Sequence, residues 1–351
     1  MTTRPATASG TVPGFGEAFT DHMVVIRYDV HDGWGASEVL PYGPIPMDPA
    51  MVGLHYGQNV FEGLKVHRRA DGSLAAFRPR DHSLRFQDSA RRLMMPELPE
   101  SMFLQAMEDL VRADAAQVPD TPGLSLYLRP LLIASEACLA LRPARTYLFV
   151  LMAFVTGGFF GVAPEPVTVA VNRRHIRASP GGTGHIKCGA NYAAAYAADA
   201  EAAEAGCRQV VWLDSAERRW IEEMGAMNLF FVRGAGPGTQ VVTPTLSGTV
   251  LPGITRDSLL KLAAGCGFHA VEDRVSVEQW RTESQDGTIT ETFACGTAAV
   301  VTPVGAVRDS EGDWTIGDGS PGPVTTRLHA ELTGIQRGLV PDPDGWMYPI
   351  C

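Results

Sequence analysis

Residues Pro180–Ala200 read PGGTGHIKCGANYAAAYAADA. A glycine-rich turn runs into Lys187, and small residues lead on to an alanine-rich helix predicted over Asn191–Ala205, with Gly206 as its cap. Small residues let the backbone pack closely and leave room beside the lysine for a bulky group. Cys188, Gly189 and Ala190 carry no charge, so desolvation favours the neutral amine that a nucleophilic lysine needs. Spacing alone nominates Lys187 without assigning it, because a lysine leading a helix is commonly a surface residue. The run is no dinucleotide loop: Lys187 stands where the third glycine of G-x-G-x-x-G belongs.

The chain has two other lysines, Lys65 and Lys261. Lys261 follows Asp257 by four residues in RDSLLKLAA, the spacing of a solvated helical ion pair. Lys65 alternates with Leu64 and Val66 on a strand and is expected to face solvent or to support a nearby charge.

Upstream, the pattern predicts strands over His22–Val30, Ser37–Pro41, Val60–Arg69, Ser73–Arg78, Leu124–Ala134 and Thr146–Val155, with an Asp71-Gly72 hairpin turn. Helices are predicted over Asp81–Leu93 and Glu100–Gln117. Downstream come strands at Val167–Val171, Gln209–Leu213, Met227–Val232, Gln240–Thr243, Ile289–Cys295 and Val300–Val307. Helices are read at Thr255–Ala264, Glu278–Ser284 and Val324–Arg337. The pattern is mixed α+β, without the regular alternation of a doubly wound sheet. The Gly/Pro-dense stretch Thr156–Pro166 (TGGFFGVAPEP) is the natural interdomain loop. It separates a small N-terminal domain (17–155), preceded by a mobile tail (1–16), from a large C-terminal domain (167–351).

The 351 residues are 45% hydrophobic and 19% charged, enough to bury a real core. The net charge of −10 argues against nucleic acid as the main partner. Six scattered cysteines without C-x-x-C or metal spacing indicate reduced thiols, and no metal site is expected. The N-terminus has no signal-peptide core and no apolar run approaches a membrane span, so a cytoplasmic, soluble protein is expected. Phosphate-loop, H-E-x-x-H and G-x-S-x-G motifs are absent.

Two segments suit an anion. In LPGITRDSLL, Gly253 leads into a helix whose first amides, at Ile254 and Thr255, point along the positive end of the dipole. In ACGTAAV, Thr297 offers a hydroxyl beside backbone N–H groups. Alone, each also reads as an ordinary cap or a tight strand turn.

Nine segments occur in order: LHYGQNVFEGLKV, FRPRDHSLRF, LYLRPLLIASE, GGTGHIKCGANYAA, GCRQVVWLD, IEEMGAMNLFFV, LSGTVLPGITRDSLL, ETFACGTAAVVTPV and GIQRG. Together, from about Phe15 to the C-terminus, they resemble the branched-chain amino acid aminotransferases, pyridoxal-phosphate enzymes of fold type IV. The resemblance implies two mixed α/β domains, the C-terminal one binding the cofactor, and a homodimer whose pocket is closed partly by the partner subunit. It implies that Lys187 bonds the cofactor covalently and is the catalytic base. Glu223 pairs with the pyridine nitrogen, Glu222 being the alternative by register, and Tyr192 bonds the phenolic oxygen. Arg85, Ile254, Thr255 and Thr297 hold the phosphate. Tyr56, Phe61, Tyr127 and Arg129 line the substrate pocket, and the Ala298 backbone holds the α-carboxylate. The implied reaction is reversible ping-pong transfer of an amino group from leucine, isoleucine or valine to 2-oxoglutarate.

Two departures stand out. Ala299 and Thr302 occupy positions where some members carry a redox C-x-x-C, so that switch is expected to be missing. Ala226 replaces a hydroxyl residue of several members. Cys188 reads as a small buried side chain. D-amino acid aminotransferases and aminodeoxychorismate lyases share the fold but lack the long N-terminal region and the LYLRP segment. A specialised biosynthetic aminotransferase and a cofactor-binding protein without turnover also compete with this reading.

Overall fold

The computed structural model describes residues 14–157 and 165–350. The interdomain loop and the N-terminal tail read from the sequence lie largely outside the described residues. The chain forms two compact units. One comprises Met1–Val162, Ile186–Ala190 and Ile335–Cys351; the other comprises Ala163–His185 and Asn191–Gly334.

The first unit is built on a long antiparallel pair, Ser125–Ala134 with Thr146–Thr156, in unbroken register from Ser125 opposite Thr156 to Ala134 opposite Tyr147. Both strands are apolar along most of their length and are buried, as expected for the middle of a covered sheet. His22–Asp29 extends the sheet on one side; Leu64–Arg68, Leu74–Phe77 and Met347–Ile350 follow on the other. Helices Pro79–Arg92 and Glu100–Ala113 close the core. The second buries Phe103, Leu104, Met107, Leu110 and Val111 at helical spacing. Phe86, Phe103 and Phe149 meet with ring centroids 5.8 to 6.5 Å apart. Gly72 takes φ of 84° in the hairpin turn, as the Asp-Gly pair foretold.

One predicted strand is divided. Val60–Arg69 is two strands, Asn59–Phe61 and Leu64–Arg68, interrupted at Glu62 and Gly63. There the Glu62 side chain turns inward to His82 and Arg85, and Gly63 lies against the Tyr127 hydroxyl, where a Cβ would sit only 1.8 Å away. Lys65, expected to face solvent or support a charge, is 4% exposed. Its strand is flanked on both sides, by Leu74–Phe77 and by Ser125–Ala134, so it lies inside the sheet rather than at an edge. Lys261 forms the expected surface pair, 3.3 Å from Asp257.

In the second unit the strand order is Ile221–Met224, Gln209–Leu213, Val167–Val171, Val300–Arg308, Ile289–Gly296, Met227–Arg233, Gln240–Thr243, His269–Glu272. Val167–Val171 runs parallel to both of its neighbours, and the middle of the sheet is antiparallel. The helix predicted over Asn191–Ala205 is broken into Ala190–Ala193 and Tyr196–Glu204. At the break the Ala195 N–H donates to the Tyr192 carbonyl in a tight three-residue step. Ile221–Met224 escaped the sequence reading because adjacent glutamates fill its middle and hide any alternation. Among the described residues no helix is long and apolar enough to cross a membrane.

Candidate active site

Lys187 is held by its backbone. Its N–H donates to Ser89 Oγ at 3.0 Å, and its carbonyl accepts from the Phe61 N–H at 3.0 Å. Cys188 bridges to Val60, and the Gly189 N–H donates to Asn59 Oδ1 at 3.2 Å. Three consecutive residues are thus stitched to strand Asn59–Phe61 and to helix Pro79–Arg92. Cys188 is buried, as expected. The main chain is fixed around the lysine, and its Nζ lies 5.0 Å from the centre of the Phe61 ring.

Around that ring the first unit gathers further residues singled out by sequence. The Arg129 guanidinium sits 4.9 Å from the Phe61 centroid and 5.6 Å from that of Tyr127. Tyr127 in turn stacks on Phe154 at 5.0 Å. A cation between aromatic faces gives an apolar wall with one charged edge. Tyr56 is half exposed, and its hydroxyl donates to the Leu139 carbonyl.

Arg85 binds Glu62 through two nitrogens, at 2.7 and 2.9 Å, and His82 Nδ1 lies 2.7 Å from the same carboxylate. Burial alone would raise the Glu62 carboxyl, but Arg85 and His82 outweigh it and hold the group well below the usual carboxylate range. His82 is pushed down by burial, against the pull of Glu62. The fork on Glu62 fixes the direction of the Arg85 guanidinium. Glu62 and His82 were not singled out by sequence reasoning. An acid between Phe61 and Gly63 on an apolar strand was the available signal.

The second unit carries the remaining residues nominated by sequence. Glu223 is buried; its Oε1 accepts the Leu251 N–H at 2.5 Å and its Oε2 lies 3.1 Å from Arg177. Arg177 was missed, since nothing distinguishes it from Arg173 and Arg174 in NRRHIR. Ile254 and Thr255 open helix Ile254–Gly265 behind Gly253, whose position provides no capping side chain. A Cβ on Gly253 would lie 2.0 Å from Asn228 Oδ1, so the approach of the backbone there demands glycine. Asn228 pairs with Glu223 on one side and Cys295 on the other, tying the glutamate to the strand that ends in the Gly296 turn. Thr297 and Ala298 form that turn, between Gly296 and Val300, which pair directly. Val300 has φ of 58°, a left-handed position that normally falls to glycine in a three-residue hairpin. Tyr192 lies half-buried on the short turn Ala190–Ala193.

Taken one unit at a time, the groups suit a phosphorylated pyridine aldehyde: the first unit offers an amine in a fixed backbone setting and an oriented guanidinium, and the second a buried carboxylate of the kind that pairs with a ring nitrogen and a helix N-terminus whose cap position is glycine.

The pattern of the amino-transferase class IV family matches residues 59–307. The branched-chain-amino-acid aminotransferase of Mycolicibacterium smegmatis is 53% identical over 336 residues, 95% of this chain and 91% of that protein. A crystal structure of the Escherichia coli branched-chain amino acid aminotransferase superposes with a TM-score of 0.78 at 27% identity, covering 95% of this chain and all of that one. The T.th. branched-chain amino acid aminotransferase complexed with N-(5'-phosphopyridoxyl)-L-glutamate gives 0.77 at 27% identity, covering 95% and 99%. The expected fold type IV architecture is borne out by these neighbours. The chain belongs to the class IV amino-transferases, pyridoxal-phosphate transaminases, and within them to the branched-chain-amino-acid aminotransferases.

Proposed function

We propose that the protein moves the amino group of L-leucine, L-isoleucine or L-valine to 2-oxoglutarate, reversibly and in ping-pong fashion, giving the branched 2-oxo acid and L-glutamate. The observation that carries this reading is the Arg129 guanidinium set against Phe61 and Tyr127, with Lys187 Nζ over the same Phe61 ring. Aromatic faces accept a branched hydrocarbon side chain, and one guanidinium at their edge accepts the distal carboxylate of glutamate. A pocket that takes both partners in turn needs both features.

When bound, pyridoxal phosphate supplies the aldehyde that receives the amino group and the ring that delocalises the electron pair left at Cα. Lys187 Nζ would hold the cofactor covalently and, as the free amine, would carry the substrate's Cα proton. Glu223, as a carboxylate, holds the proton on the pyridine nitrogen. Arg85, the Ile254 and Thr255 amides and Thr297 hold the phosphate, and Tyr192 bonds the phenolic oxygen. The Ala298 N–H orients the substrate carboxylate, and Tyr56 borders the pocket. A cytoplasmic homodimer completes the reading.

The purified protein should be yellow, and borohydride should bleach it and leave the label on Lys187. Leucine should discharge the colour and 2-oxoglutarate restore it. Lys187→Ala should retain cofactor and lose transamination. Near-normal turnover in that variant, or an amino-donor panel in which branched-chain amino acids are inactive, would reject the reading.

A further inference from the structure

Strand Ile221–Met224 carries Glu222 and Glu223 side by side, so their side chains leave on opposite faces. Both are buried. Glu222 Oε1 accepts the Thr249 hydroxyl, and the Ser247 and Thr249 hydroxyls lie 2.6 Å apart. The main-chain carbonyl of the same Thr249 accepts from Arg177 Nη2 at 2.5 Å. That nitrogen also lies 3.2 Å from the Gly184 carbonyl and 3.1 Å from Glu223 Oε2. Gly184 allows the approach: a Cβ there would fall 2.3 Å from the Thr249 oxygen. Thr249 is therefore gripped twice, by Glu222 through its hydroxyl and by Arg177 through its backbone.

We propose that Glu222 is a positioning residue: by anchoring Thr249 it seats Arg177 on Glu223 and so keeps Glu223 an anion. This rests on the reading of Glu223 as the partner of the pyridine nitrogen. A guanidinium 3.1 Å from the carboxylate stabilises its charge more strongly than it repels a proton held farther off, on the ring. Without that cation the proton passes to Glu223, and the ring nitrogen becomes neutral. What Glu222 contributes is the acceptor Oε1, which takes the Thr249 hydroxyl, and an amide oxygen can fill that role. Burial raises the Glu222 pKa, so losing the charge there is no great change.

The test loads pyridoxal phosphate, labelled with nitrogen-15 in the ring, into wild type, Glu223→Gln, Arg177→Gln, Glu222→Leu, Glu222→Gln and Thr249→Val. The ring-nitrogen shift and the cofactor dissociation constant are read, with thermal melting to show that each apoprotein is folded. Thr249→Val keeps the shape and cuts the same hydrogen bond from the other end, in case Glu222→Leu does not fold. Glu222→Leu, Thr249→Val and Arg177→Gln should move the signal toward neutral pyridine and weaken cofactor binding about tenfold, the loss of roughly one hydrogen bond. Glu222→Gln should restore both. If Glu223→Gln moves the signal while Glu222→Leu and Thr249→Val leave it at the wild-type position, the positioning role is rejected and the reading of Glu223 stands. If Glu223→Gln leaves it unmoved, that reading fails and the positioning role falls with it.

Discussion

Arg177 and Glu223 form an ion pair at 3.1 Å in which the side chains are only 7% and 3% exposed. Two charges withdrawn from water in this way are costly to separate, and removing one partner of such a pair typically costs about 3–5 kcal/mol. The pair therefore sustains both the fold and the charge of the glutamate.

Glu223→Gln should lower the rate of transamination about 100-fold, the scale for deleting one preorganised electrostatic contact, and should lower the melting temperature as well. Glu222→Gln should do neither. Single-turnover absorbance with leucine, on protein shown to be folded, separates the two. The reverse pattern would put the pyridine partner one residue upstream.

Lys65 gives a signature in stability against pH. Burial lowers its pKa from 10.5 to about 8 in the folded chain. Between those values the unfolded chain binds more protons, so stability rises with pH across that window. The penalty is present in full below about pH 8 and is gone above the unfolded value; its size is roughly 3 kcal/mol at about 1.4 kcal/mol per unit. His67, two residues along the same strand, is held by burial, Lys65 and Arg337 down at about 3, and so stays neutral throughout. Urea denaturation of Lys65→Met should lack the rise seen in wild type. Parallel pH profiles would place the Lys65 ammonium in water.

Val300 holds a β-branched side chain at φ of 58°, which costs of order 1–3 kcal/mol. A glycine inside a strand ordinarily destabilises by about 0.5–1 kcal/mol. At this position the strain relieved exceeds that cost, and Val300→Gly should raise the denaturation midpoint. A lowered midpoint would mean that the turn bears no strain.

Gly63→Ala would set a methyl 1.8 Å from the Tyr127 hydroxyl oxygen, so the ring must move. Tyr127 is stacked on Phe154 and faces the Arg129 guanidinium, and its displacement deforms the proposed wall. Overpacking of this kind costs about 1–3 kcal/mol. The KM for leucine should rise about tenfold or more, with a smaller change in kcat. An unchanged KM would remove Tyr127 from the pocket.

The strands flanking Ala134 and Thr146, and both helices of the first unit, were legible because apolar periodicity there is strong and long. Lys261 was legible from one i,i+4 spacing. Other features depend on distant partners. The interruption at Glu62 answers to His82, Arg85 and Tyr127, and the burial of Lys65 to the strands on both of its sides. Arg177 looks in sequence like Arg173 and Arg174; its place beside Glu223 sets it apart. Strand Met347–Ile350 is too short for a period to show; its partner, Leu74–Phe77, is far away in the chain.

Ile186–Ala190 takes its place beside Asn59–Phe61, and Met347–Ile350 pairs with Leu74–Phe77 at an edge of the same sheet. During synthesis the N-terminal sheet must therefore wait, first for residues 186–190 and then for residues 347–350, before every strand is present. A gene cut near residue 165 would yield an N-terminal product lacking its edge and a C-terminal product whose key amine had lost its backbone supports. The first unit can therefore be completed only once synthesis has passed residue 350.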